Sequence, residues 1–175
     1  VIYIQRLAEG LAQRGHQVTI LCAHHQKDTR LEEWVNGVRV VRSRVLFRFR
    51  KGAVMPLFWH DLRRLLPHHD VFHRHLPGLM DAYVSTRLAA ALHKPVLFTH
   101  HCDISLPFGL LNDAIEAAMH TEIRYAGALA QRIVTYSEDY AAYSRFLSLY
   151  REKVVSVYPP ITIGAPDDAR AGAWR

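Results

Sequence analysis

At 175 residues the chain is long enough for one domain with a sizeable core, and with half of it hydrophobic a disordered chain is excluded. Its apolar runs, such as Val96–Phe98 and Leu88–Leu92, fall far short of the roughly 20 residues that span a bilayer, and Val1-Ile2-Tyr3-Ile4-Gln5-Arg6 has no signal-peptide form. A net charge of +6 points to an anionic partner (nucleic acid, a phosphorylated ligand or an acidic membrane surface) without choosing among them. The two cysteines, Cys22 and Cys102, make no disulfide framework. Cys22 ends an apolar run and reads as a small buried hydrophobe; a soluble protein in a reducing, cytoplasmic setting fits.

Ile4, Leu7, Ala8, Leu11 and Ala12 recur at helical spacing, and Gly15-His16 stops that helix. Gln17–Cys22 has the length and β-branching of a strand; Val38–Val41 is another, which Arg42–Arg50 continues with alternating basic residues. Pro56–Leu66 predicts a helix, Asp70–His75 a strand, Leu79–His93 an Ala- and Leu-rich helix and Pro95–Thr99 a strand. A long helix is expected from Asn112 to Ala130, with Asp113 and Glu116 spaced like a capping box. Arg132–Tyr136 reads as a strand, Ser137-Glu138-Asp139 as the capped opening of a helix reaching Leu149, and Lys153–Tyr158 as the last strand. Strand and helix alternate with few hairpin signals, the sequence form of a doubly wound α/β domain with a parallel sheet. Residues 1–161 form that domain, and 162–175 look like the start of a linker. Such a domain normally opens with a strand and a glycine-rich loop. Here the chain starts inside the first helix, so that strand, expected between Gln17–Cys22 and Asp70–His75, and its loop are expected to lie upstream of Val1.

In such sheets ligands sit beyond the carboxyl ends of the strands. Three polar clusters fall there: His73-Arg74-His75-Leu76-Pro77-Gly78, Thr99-His100-His101-Cys102-Asp103 and Tyr136-Ser137-Glu138. Together with L-A-x-x-L-A-Q-R-G-H-Q-V-T-I-L-C at Leu7–Cys22, D-V-F-H-R-H-L-P at Asp70–Pro77, K-P-V-L-F-T-H-H-C-D-I at Lys94–Ile104, R-I-V-T-Y-S-E at Arg132–Glu138 and V-V-S-V-Y-P-P-I at Val154–Ile161, their order resembles the family-4 retaining glycosyltransferases. The resemblance implies a Rossmann-like domain, the acceptor-side N-terminal half of a two-domain GT-B enzyme. It further implies transfer of a sugar from a nucleotide-sugar co-substrate to a sugar or lipid-linked acceptor, with no other cofactor and no metal. The donor would be held mainly by a C-terminal half outside this chain, so the chain alone is expected to be inactive. His101, in the T-x-H-x-D pattern, falls at the family's active-site histidine, with Asp103 beside it; His73, His75, Ser137 and Glu138 are the expected substrate-binding residues.

The residues also admit other readings. His73, His75, His101 and Asp103 could form the metal site of a hydrolase, although their spacing matches no complete metal motif. A non-catalytic Rossmann-like module that binds an anionic ligand is the third reading. Arg42, Arg44, Arg48, Arg50 and Lys51, interleaved with Val45, Phe47 and Phe49, form either a solvated edge or a peripheral membrane contact; no nucleic-acid motif is present. Ser137 lacks the G-x-S-x-G frame of a nucleophile and reads as a helix cap. His24-His25 and His68-His69 are expected in exposed loops. Alternation of side chains places His101 in the crevice and His100 away from it, with neither needed for folding.

Overall fold

The structure is a computed structural model that describes residues 2–26, 28–49, 52–78 and 81–160. Arg50, Lys51 and the expected linker at 162–175 lie outside the described residues. Helix α1 (Ile2–Gln13) ends on Gly15, whose φ of +88° suits glycine, and leads into β1 (Val18–Ala23). β1 pairs in parallel with β3 (Val38–Ser43), which pairs antiparallel with β2 (Glu32–Val35). The basic stretch after β3 does not continue that strand. It forms a separate hairpin of β4 (Phe47–Phe49) and β5 (Gly52–Val54).

From there α2 (Phe58–Leu65) leads through a 3-10 turn at Leu66–His68 to the main sheet. This sheet has the order β6 (Phe72–Leu76), β7 (Val96–His100), β8 (Arg132–Thr135), β9 (Val154–Ser156), parallel throughout, with α3 (Ala82–Ala91) and α4 (Leu110–Leu129) as crossovers. α5 (Glu138–Tyr143) and a 3-10 segment at Leu147–Lys153 connect β8 to β9. The architecture is therefore the expected Rossmann-like α/β arrangement, with two antiparallel additions between residues 32 and 54. β1 and β6 belong to different sheets. They are bridged by His69, whose ring bonds the Leu65 carbonyl and, at 2.9 Å, Thr19 Oγ1; His69 is thus a tie between the sheets and not a loose loop residue.

The missed strand β2 had a signal. Asn36-Gly37 joins β2 to β3 with φ of +50° and +80°, the two left-handed residues that a tight hairpin turn requires. Two further expectations are corrected. The long helix starts at Leu110, after Gly109 at the cap position, and not at Asn112, so Asp113 lies inside the first turn and makes no capping box; Glu116 instead reaches back to accept the Leu106 N–H at 2.9 Å. The helix expected to reach Leu149 stops at Tyr143, because Ser144 turns extended. Its hydroxyl bonds Asp103 at 2.9 Å and the Leu147 N–H at 3.1 Å.

Leu76, Val96, Phe98 and Ile133 from the strands join Ala82 and Ala89 of α3, Ile123 and Ala126 of α4, and Phe146 and Leu147 in one core cluster. At the start of α3, Asp81 occupies the cap position but gives its carboxylate to Arg74. The Tyr83 N–H that a cap would satisfy is taken by Glu122 of α4, at 3.0 Å. Burial raises the pKa of both carboxyls. Among the described residues no helix is long and apolar enough to cross a membrane.

Two helical glycines meet opposite surroundings. A Cβ on Gly10 of α1 has nothing within 4 Å, whereas one on Gly127 of α4 falls 2.7 Å from Tyr150 and 2.9 Å from Phe146. Gly10→Ala should stabilise the fold by about 0.5–1 kcal/mol through helix propensity. Gly127→Ala should destabilise it by about 1–3 kcal/mol through overpacking. Chemical denaturation of the two variants checks both signs.

Candidate active site

The alternation of β6 decides which of its residues reach the site. His73 and His75 share one face and Arg74 takes the other, where it meets Asp81 and Ser85. In register, His75 lies opposite Thr99 and Leu76 opposite His100, and the His101 N–H extends the ladder to the Leu76 carbonyl at 2.9 Å. The rings of His73 and His75 stack at 4.6 Å between centroids, and those of His75 and His101 at 5.2 Å. His75 Nδ1 is 3.1 Å from His101 Nε2, and His73 Nε2 is 2.8 Å from Thr99 Oγ1. The Tyr136 hydroxyl, in the turn after β8, bonds His101 Nδ1. Tyr3, from the first turn of α1, packs edge-on against His75, His101 and Tyr136, at 5.8, 5.3 and 5.4 Å. Thus three expected residues, His73, His75 and His101, form one wall, joined by Tyr3, Thr99 and Tyr136.

Burial sets the charge of this wall. It lowers the pKa of His73 to about 4 and that of His75, helped by repulsion from His73, to about 3; His101 is lowered in the same way. Burial also raises the pKa of the Tyr136 hydroxyl. At neutral pH the wall is therefore a row of uncharged rings with hydrogen-bonding edges.

His100 points the other way, as alternation requires, but it is a core residue. It is fully buried against Phe146 and Tyr140, and its Nε2 donates to Asp103 at 3.0 Å. Its place there is that of a packing residue. Asp103 turns toward His100 and also accepts from Ser144 Oγ and, at 2.9 Å, from the Arg145 N–H. Burial tends to raise its pKa, but these hydrogen bonds outweigh burial and hold it below the usual carboxylate range. Asp103 thus secures the loop after β7 and is not assembled with the three histidines into the ligand set that a metal hydrolase needs; among the described residues no three His, Cys, Asp or Glu side chains converge on a common point. Ser137 caps α5, its Oγ accepting the Tyr140 N–H at 3.2 Å, and Glu138 is exposed.

Tyr136 and Thr99 stood inside the polar clusters at the strand ends, so position alone could have nominated them. Tyr3 carries no such signal, because its neighbours at the site come from three other elements. Elsewhere, Arg42 is held by Glu33 and the Arg30 carbonyl, and Arg48 donates to the His25 carbonyl, while Arg44 is exposed. An open groove lined by His120, Arg124 and Arg145 shares no residue with the histidine wall. Glu116, 3.7 Å from His120 and 3.6 Å from Arg145, offsets part of its positive charge.

The sheet, its crossovers and a polar wall near the carboxyl ends of β6, β7 and β8 define a Rossmann-like domain. Its family follows from the sequence as a whole: the profile described as Glycosyltransferase Family 4 matches residues 1–164, and the chain belongs to that family. A comparison with curated proteins finds no match.

The wall should leave its mark on stability. A histidine in the unfolded chain takes up a proton near about pH 6.5, whereas His73 and His75 stay neutral in the fold until about pH 4 and 3. Between these limits the unfolded state binds more protons, so stability falls as pH drops, by up to about 1.4 kcal/mol per pH unit for each histidine. His75→Gln should flatten that slope by about one proton, read from denaturation midpoints between about pH 6.5 and 4.

Proposed function

We propose that the enzyme transfers a sugar from a nucleotide-sugar donor to an acceptor with retention at the anomeric carbon, and that this domain holds the acceptor side. The observation that carries the reading is the uncharged, hydrogen-bonded wall of His73, His75 and His101. Retaining transfer develops positive charge on the sugar ring and negative charge on the departing phosphate. A neutral imidazole orients a sugar hydroxyl without adding charge to either. His101 is assigned to the donor sugar, and His73 and His75 to substrate hydroxyls beside it. Asp103 acts through the loop that carries His101, and Ser137 through the start of α5; both are positioning residues.

The segment after β3 exposes Leu46, Phe47, Val54 and Leu57 beside Arg44 and Arg48, which favours an acceptor presented at an anionic lipid surface. Arg44→Glu combined with Leu46→Ser should then reduce sedimentation of the enzyme with phosphatidylglycerol vesicles and leave phosphatidylcholine vesicles unaffected; equal binding by the variant removes this acceptor reading.

In the full-length enzyme, His101→Ala should lower kcat by at least about tenfold, roughly 1.4 kcal/mol of transition-state stabilisation, with an unchanged melting temperature. His100→Ala should instead lower the melting temperature, because it empties a core position and strips Asp103 of a partner. Turnover of UDP- and GDP-sugars, with the anomeric configuration of the product read by NMR, checks both. An inverted product, or a His101→Ala variant with full activity, overturns the reading.

A further inference from the structure

We propose that Tyr136 is a positioning residue that sets the proton pattern of the histidine wall, so that His101 offers an N–H, and not a bare nitrogen, from its Nε2. A neutral imidazole carries one ring proton, and which nitrogen holds it depends on the hydrogen bond that the other makes. At His101 both nitrogens are engaged: Nδ1 with the Tyr136 hydroxyl and Nε2 with His75 Nδ1 at 3.1 Å. Two proton orders satisfy this chain. In one, the phenol donates to His101 Nδ1, His101 Nε2–H donates to His75 Nδ1, and His75 keeps its proton on Nε2. In the other every donor and acceptor is reversed, and the phenol oxygen accepts.

Chemistry separates the two orders. A phenol oxygen shares its lone pair with the ring, which makes it a good donor and a poor acceptor, whereas the bare imidazole nitrogen is the better acceptor. Burial keeps the Tyr136 hydroxyl protonated and the histidines neutral, so the phenol has a proton to give and His101 has room to accept it. Tyr3 packs against His75, His101 and Tyr136 at once, and this contact restrains the three rings in the geometry that the chain requires. The order Tyr136 → His101 → His75 follows.

The consequence for the proposed transfer, on which this part rests, concerns what a sugar oxygen meets. When it replaces His75 as the partner of His101 Nε2, it meets a donor. His101 then binds as a hydrogen-bond donor to oxygen and does not withdraw a proton. No bond in the substrate is made or broken by this step.

The test uses the full-length enzyme with nitrogen-15-labelled histidine. Two-bond proton–nitrogen NMR correlations should show His101 with bare Nδ1 and protonated Nε2 in the wild type. Tyr136→Phe, which retains the ring and loses the hydroxyl, should give a mixture of the two forms, lower kcat in proportion to the lost Nε2–H form (about twofold for an equal mixture) and leave the donor KM unchanged. A wild-type His101 protonated on Nδ1, or a Tyr136→Phe variant with an unaltered tautomer, overturns the assignment, and the first of these needs no variant to fold. A tautomer that switches without loss of turnover upholds the role of Tyr136 and removes His101 from sugar transfer, so the two readings fail separately.

Discussion

The parallel register between β6 and β7 is the constraint on which the rest of the site depends. With His75 opposite Thr99 and Leu76 opposite His100, alternation sends His73, His75, Thr99 and His101 to one side and Arg74, Leu76, Phe98 and His100 to the other. A slip of β6 by one residue would turn His73 and His75 into the core and leave Arg74 and Leu76 in the cleft. Such a slip is heavily penalised, because Leu76, Phe98 and their neighbours form the centre of the hydrophobic cluster. The site geometry is therefore secured by the packing of the opposite face, and the side chains of the cleft need not secure it themselves.

The two sides use histidine in different ways. His100, sealed in the core, gives its Nε2 proton to Asp103 and has no partner for Nδ1 among the described residues. It acts as a polar strut, and through Asp103 it links the end of β7 to Ser144 and Arg145 beyond α5. Tyr140 reinforces the link by accepting the Asp103 N–H at 2.7 Å. His101, one residue on, is held by Tyr136 and His75 and stays only partly covered. Adjacent histidines thus face opposite sides of the sheet across one peptide unit, one a strut in the core and the other part of the cleft wall.

Much of this was legible in the sequence because burial and alternation are local properties. The apolar runs at Val96–Phe98 and Arg132–Thr135 located strands, and the polar residues beyond them located the cleft. The opposite orientations of His100 and His101 followed from strand geometry. What escaped depends on partners remote in the chain. Tyr3 gains its place only when α1 docks beside β6 and β7, and the bonds of Asp103 to Ser144 and Arg145 join residues about forty positions apart. The start of α4 was misplaced because a glycine with φ of +144° and a glutamate reaching backward replaced the expected capping box. By contrast, the Asn-Gly turn between β2 and β3 was a plain local signal that the α/β pattern overshadowed.

The borrowed cap at the start of α3 also bears on how the chain is made. Asp81 is committed to Arg74, and the acceptor for the Tyr83 N–H sits thirty-nine residues downstream, on Glu122. As the chain leaves the ribosome, α3 is complete in sequence well before Glu122 has been added. Its first turn must remain hydrated until α4 emerges and docks across it. Strands β6 and β7 can pair during that interval, but the helix between them matures last at the end nearest the cleft. The order of synthesis therefore leaves the first turn of α3 without its acceptor until Glu122 has been added.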